Sequence, residues 1–322
     1  MKRVGIVMLS ALGDAVHVLP LLTAIKRQWP DSEITWVTQP GPAELVRGHP
    51  ALDRLVVFRR DQGWAAFPRV VSQVRREVGP APFDVLLDLQ VYLKAGVITG
   101  LLPARSKLGF DRARARDLNW LFTTDKIPAH TGVQHVQDQY FEFLTALGVA
   151  IEPPIWNLGP WPGDPDPPDG RYAALVIGTS RPPKDWVADR WAVVADCLYQ
   201  RYGVVPVLVG GNSDREKATA AAILAAARAP VRSALGSGLR PLISILRGAQ
   251  LVVSLDTGPL HMAVALERPV VSLIGYNDPR VVGPYRRYAD LVVNAFDSPE
   301  PRERRMSTIT ADMVLSRCAS VL

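Results

Sequence analysis

Residues 251–285 read LVVSLDTGPLHMAVALERPVVSLIGYNDPRVVGPY, strand, tight loop, short helix, strand and second loop. The apolar run 251–255 has strand length, and Thr257-Gly258-Pro259 breaks it, Gly for close backbone approach and Pro suited to the first helical position. A helix that starts at the C-terminal end of a buried strand presents unpaired N–H donors and the positive end of its dipole, and both favour a phosphate there. Asp256, Thr257 and His261 add side-chain polarity at the same spot. The same Asp and Thr would also serve if they did no more than cap the helix.

Outward from this stretch the chain repeats one alternation. Residues 4–9 predict a first strand, and Ser10-Ala11-Leu12-Gly13-Asp14 turns it into a helix running to about 28. Residues 34–37, 55–58 and 83–89 predict further strands, and 66–77 and 135–147 predict helices, with Pro40-Gly41-Pro42 and His49-Pro50 as punctuation. In the second half, 174–177, 204–209 and 291–293 predict strands. Residues 191–200 and 215–227 predict helices, and Thr310 caps a last helix toward 321. Strands alternating with helices imply parallel sheets covered on both faces. The reading is α/β with two Rossmann-like domains, 1–155 and 171–322, joined by a proline-rich linker over 156–170 and facing across a cleft. The C-terminal helix is expected to pack back on the first domain.

The length of 322 residues exceeds what one core holds comfortably, in keeping with two domains. No apolar run approaches the roughly 18–20 residues that cross a bilayer. The apolar N-terminus ends at Gly13-Asp14 without a small-residue cleavage site and reads as a buried strand rather than a signal peptide. Two cysteines, Cys197 and Cys318, build no disulfide framework and have no metal spacing, which points to a reduced, cytoplasmic setting. The formal charge of +6 and pI of about 9.5 favour an acidic partner. Arg105, Lys107, Arg112, Arg114 and Arg116 are dense in the first half, but no aromatic interleaving or nucleic-acid module accompanies them, so DNA and RNA are not expected partners.

The motif Asp256-Thr257-Gly258-Pro259-Leu260-His261, followed by Ala263, Ala265-Leu266, Pro269-Val270, Gly275 and Asp278-Pro279, resembles the signature of the lipopolysaccharide heptosyltransferases, glycosyltransferase family nine. The family's second loop usually reads Gly-Pro-Thr-Asp-Pro, whereas this chain has Gly275-Tyr276-Asn277-Asp278-Pro279. The stretches 9–24 and 176–186 also resemble family motifs. The resemblance implies a GT-B glycosyltransferase with the acceptor on the first domain and a nucleotide-diphosphate sugar, ADP-heptose, on the second. It also implies inversion at the anomeric carbon.

On that resemblance Asp14 is the general base, although a helix-capping role fits the same position. The chemistry is coherent, because a sugar hydroxyl acidifies as it attacks an oxocarbenium-like centre and a carboxylate in reach can take its proton late. Thr179 and Ser180 would bond the donor phosphates, and Lys184 would neutralise the leaving diphosphate in place of a metal ion. No metal or cofactor is expected. Asp214 or Glu216 would accept ribose hydroxyls, or one of them would cap the following helix. Gly13, His17, Arg112, Arg116 and His135 are expected near the acceptor, an acidic glycolipid such as the lipopolysaccharide inner core; a solvated loop is the other reading of the arginines. Transient contact with the anionic inner membrane surface follows from the same picture. The alternatives are a non-hydrolysing nucleotide-sugar epimerase of the same fold and a family-nine transferase with a different acceptor.

Overall fold

In the computed structural model, residues 2–322 are described and the chain divides into two units between Trp161 and Pro162. The first unit runs β1 (Arg3–Val7), α1 (Leu12–Gln28), β2 (Glu33–Thr38), α2 (Pro40–Val46), β3 (Arg54–Val57), α3 (Ala66–Val78), β4 (Phe83–Asp88), α4 (Leu93–Leu101), β5 (Ala104–Phe110), β6 (Asp125–Ile127) and α5 (Val136–Ala146). Its six strands are all parallel in the order β3-β2-β1-β4-β5-β6. Val4, Ile6 and Val7 are buried because helices cover both faces, which is why β1 reads as a continuous apolar run rather than an alternation.

The second unit runs β7 (Tyr172–Val176), α6 (Ala188–Tyr202), β8 (Val205–Val209), α7 (Asp214–Ala226), β9 (Arg232–Ser233), α8 (Leu239–Gly248), β10 (Leu251–Leu255), α9 (Gly258–Ala265), β11 (Val270–Ile274), α10 (Pro279–Val282), β12 (Val292–Asn294) and α11 (Ala311–Ala319). Its six parallel strands follow β12-β11-β10-β7-β8-β9, the same doubly wound order as the first unit. In each sheet the winding reverses between the first and fourth strands, β1 beside β4 and β7 beside β10. The carboxyl ends of such a strand pair are where open α/β sheets bind ligands.

Three stretches singled out in the sequence take definite places. Pro40-Gly41-Pro42 breaks the chain after β2 as expected and forms the first turn of α2, where proline's missing N–H is harmless. The stretch expected as a linker over 156–170 is anchored on both sides of the division. Trp156 and Leu158 are buried in the first unit and His49 Nε2 lies 3.0 Å from the Trp156 carbonyl, while Asp164 pairs with Arg240 of α8. The last helix, α11, packs on α6, β11 and β12, with Val314 and Cys318 fully buried in the core of the second unit. Leu315 and Val321 pack against the same core.

Candidate active site

The loop that leaves β1 carries the first group of polar residues. Asp14 is the third residue of α1, so it is not the N-cap; its Oδ2 instead reaches back to accept the Ala11 N–H at 2.9 Å. Ala11 has no side-chain oxygen to complete a reciprocal capping box. Loss of water around Asp14 raises its carboxyl above the ordinary value, and the hydrogen bonds from the Ala11 N–H and the Tyr140 hydroxyl only partly offset this. Tyr140 is buried on α5, and burial first, then the charge of Asp14, pushes its hydroxyl well above the usual range. The phenol is thus a fixed donor to the carboxylate.

One turn further along α1, His17 is buried, and Gln137 of α5 clasps it. Gln137 Nε2 donates to the His17 carbonyl at 2.8 Å, which turns Oε1 toward His17 Nδ1 at 2.9 Å and places the ring proton on Nδ1. His135 is the N-cap of α5, accepting the Gln137 N–H at 3.0 Å, and its ring meets His17 edge-on at 5.7 Å. Gly13, Asp14, His17 and His135 are therefore brought together where α1 packs on α5. Gln137 and Tyr140 join them without having been read from the sequence.

The basic cluster separates into two kinds. Arg114 pairs with Glu142 and lies over the Phe110 ring at 4.0 Å, and Arg105 lies 3.7 Å from Asp84. Arg112 and Arg116 are exposed and have no carboxylate partner among the described residues. Arg112 stands over the Trp120 ring at 5.6 Å, and the Arg116 N–H donates to the Val91 carbonyl at 2.6 Å. Beside Val91, a cavity of about 490 Å³ opens along the carboxyl ends of β1, β2 and β4, lined by Ser10, Gln39 and Gln90 and flanked by Arg60, Lys94 and Asp117. Arg60 and Lys94 gave no motif in the sequence.

The second group lies at the edge of β7 and β10. Lys184 Nζ sits 2.8 Å from Asp256 Oδ2 and 3.3 Å from the Asp256 carbonyl, and both side chains are almost wholly buried, 12% and 8% exposed. An ammonium has three N–H groups, so this pairing leaves one for a ligand. Thr257 is the N-cap of α9 with its hydroxyl making no capping bond, Gly258 opens the helix, and His261 is buried one turn on. The first N–H groups of α9 thus stand beside the ammonium, a cationic and dipolar pair suited to an anion.

The departure in the second loop is accommodated. Asn277 Nδ2 donates to Asp256 Oδ2 at 2.7 Å, while Arg302 stacks on the Tyr276 ring at 3.9 Å and bonds Asn277 Oδ1 at 3.1 Å. Asn277 therefore holds Asp256 toward Lys184.

Thr179 donates to the Arg181 carbonyl at 2.9 Å and touches Asp185, and Ser180 is exposed. Asp185, raised by burial, pairs with Arg215 at 2.9 Å. Glu216 forms a complete capping box with Ser213 and also accepts the Gly211 N–H at 2.6 Å. Burial would raise its carboxyl, but the Ser213 hydroxyl and the two N–H donors hold it below the usual range. It is packed so closely that a Cβ at Gly178 would lie 1.9 Å from Oε1 and would displace the carboxylate. Asp214 points into solvent, 3.9 Å from Lys217. Among the described residues no group of three or more His, Cys, Asp or Glu could hold a metal ion, and no helix is long and apolar enough to cross a membrane.

The profile of glycosyltransferase family 9 (heptosyltransferase) matches residues 71–310. The chain belongs to this family. It is 27% identical over 309 residues to the lipopolysaccharide core heptosyltransferase OpsX of Haemophilus influenzae, covering 94% of this chain and 87% of that one. It is 29% identical to lipopolysaccharide heptosyltransferase 1 of Pseudomonas aeruginosa, covering 88% of this chain and 82% of that one. The structure of the E. coli heptosyltransferase WaaC with ADP superposes with a TM-score of 0.82 at 26% identity over the whole of both chains. This family-9 protein is accordingly a GT-B glycosyltransferase, and the match favours transfer over the epimerase reading.

Proposed function

We propose that this family-9 glycosyltransferase moves a heptose-type sugar from ADP-heptose to an acidic glycolipid, the lipopolysaccharide inner core, without a metal ion and with inversion. The observation that carries the reading is the nearly buried Lys184 beside the N-terminus of α9, a ready diphosphate seat. Relatives named as lipopolysaccharide heptosyltransferases and a homologue solved with ADP support the donor and acceptor class.

In this mechanism the acceptor hydroxyl attacks the anomeric carbon and gives its proton to Asp14, whose raised carboxyl and fixed Tyr140 donor suit a base that acts late. The bond from the anomeric carbon to the diphosphate breaks, and the charge that develops on the leaving group meets the third N–H of Lys184, the α9 N–H groups and the Thr257 hydroxyl. Thr179 and Ser180 bond the donor phosphates, Glu216 or Asp214 the ribose, and His261 shapes the pocket floor. Arg112 and Arg116 meet phosphate or carboxylate of the acceptor, with Gly13, His17 and His135 shaping its approach. The same exposed cations would make contact with the anionic surface on the cytoplasmic face of the inner membrane.

The test is to incubate the protein with ADP-heptose, with and without inner-core glycolipid, and to follow both ADP release and the mass of the lipid. Sugar addition only when acceptor is present supports transfer; rearranged donor in its absence would establish the epimerase instead. Transfer to some other acceptor alone would keep the family chemistry and discard the lipopolysaccharide assignment.

A further inference from the structure

Asp88 ends β4 with no exposed surface and takes no part in the mechanism above, yet three donors converge on it. Its Oδ2 accepts the Thr99 hydroxyl of α4 at 3.0 Å and the Asn119 amide at 2.9 Å, and its Oδ1 accepts the Gln90 N–H at 3.2 Å. Burying a carboxylate so completely is costly unless the charge is fully bonded, so the arrangement calls for a purpose. Burial pushes the group up to about 7 against those bonds and the more distant charge of Lys126 on β6.

Two chains of bonds lead away from this acid. Through Gln90, whose Oε1 accepts the Leu9 N–H at 3.0 Å and whose Nε2 donates to the Ser10 carbonyl, it reaches the loop directly before Asp14. Through Asn119, which also donates to the Tyr92 carbonyl at 3.1 Å, it reaches the loop that carries Arg112 and Arg116. That loop is tied to the same place by the Arg116 N–H on Val91 at 2.6 Å, and it packs so closely on α4 that a Cβ at Gly96 would lie 2.7 Å from Phe122.

We propose that Asp88 is a positioning residue that sets the spacing between the Asp14 loop, through Gln90, and the arginine loop, through Asn119. The inference rests on the proposed roles of Asp14 as base and of Arg112 and Arg116 toward an acidic acceptor. A carboxylate is needed because three donors must be accepted at one buried point, and an amide in its place turns a donor toward one of them.

The experiment compares wild type with Asp88→Asn, Gln90→Met and Asn119→Leu in two readouts. Amide hydrogen exchange reports each arm without reference to activity. Gln90→Met should release the Leu9 amide only, Asn119→Leu the Arg116 amide only, and Asp88→Asn at least the arm that its NH2 group faces, with the amides of the second unit unchanged. Steady-state transfer should divide in the same way: a kcat loss of roughly 10–100-fold for Gln90→Met, a raised acceptor KM for Asn119→Leu, the constant of the released arm for Asp88→Asn, and an unchanged donor KM throughout. If Asp88→Asn fails to fold, the two single-arm variants carry the test.

Protected Leu9 and Arg116 amides in a folded Asp88→Asn, or single-arm variants that shift the same constant alike, would overturn the proposal. So would released amides with unmoved kinetic constants. Should the protein transfer no sugar to any acidic acceptor, the functional reading fails while the exchange pattern still decides the bracket.

Discussion

At the carboxyl edge of the first sheet Asp14 meets a phenol, Tyr140, and among the described residues no ammonium or guanidinium pairs with it. At the equivalent edge of the second sheet Asp256 meets the ammonium of Lys184 at 2.8 Å and the Asn277 amide at 2.7 Å. The strand order is the same in both sheets, and both acids sit in the connection after a strand of the switch pair. What differs is the partner. A carboxylate left without a cation in a desolvated place holds its proton more tightly and becomes a better base. One committed to an ammonium orients that ammonium toward an incoming anion. In the proposed mechanism the two units divide the labour, the first handling a proton and the second a diphosphate.

The comparison breaks most visibly at Asp14. Asp14→Asn keeps an oxygen for the Ala11 N–H, and its NH2 can donate to the Tyr140 oxygen, so the melting temperature should stay near native, while turnover falls by about 10²–10⁴. An unstable variant with full activity per folded molecule would make Asp14 a capping residue only. Next is Lys184→Ala, expected to lower kcat by roughly 10²–10³. It also leaves Asp256 buried with only Asn277 for a partner, so the second unit should melt earlier, and activity must be counted per folded molecule. Wild-type turnover at saturating donor would remove the lysine from the mechanism.

The pH profile sharpens the same contrast. Because the raised group must lose its proton to act as base, kcat should climb with pH along an acid limb that lies above the ordinary carboxylate range, and Asp14→Asn should abolish that limb. The linkage runs the other way for stability: folding favours protonated Asp14, so acidification through this window stabilises the first unit while it silences turnover. The smallest effect is expected at the arginine loop. Arg112→Ala with Arg116→Ala should raise the acceptor KM by roughly 2–10-fold, with the wild-type constant worsening as salt screens the contacts and donor KM unmoved. An insensitive acceptor constant would return these arginines to an ordinary solvated loop.

The alternation of strands and helices was legible because most central strands are short, largely apolar runs and most of the turns after them hold Gly, Pro, Asp or Thr. Elements flanking the arginine cluster were not. In α4, Gly96 and Gly100 occupy the face that packs on Phe122, so close approach takes away the usual helical composition. The amphipathic α8 gives a weaker signal in the sequence than the motif that follows it, although Leu242, Ile243 and Leu246 mark its buried face. Asp14, Lys184 and Asp256 could be named from their motifs, but their partners could not. Tyr140 and Gln137 are more than 100 residues from α1 in sequence, and no spacing rule spans that; only His135 at the start of α5 pointed there. Ser213 with Glu216 is a capping box readable from the sequence, and the structure gives that glutamate a local bonding role whichever acid meets the ribose.

The division of labour is tested most directly by titrating ADP, in a calorimeter, into wild type, Asp14→Asn and Lys184→Ala. The account predicts that Asp14→Asn binds ADP as wild type does, because its acid belongs to the acceptor side. Lys184→Ala should bind at least about tenfold more weakly, the equivalent of one charge-assisted contact. Equal ADP affinity in wild type and Lys184→Ala, or a loss confined to Asp14→Asn, would contradict it.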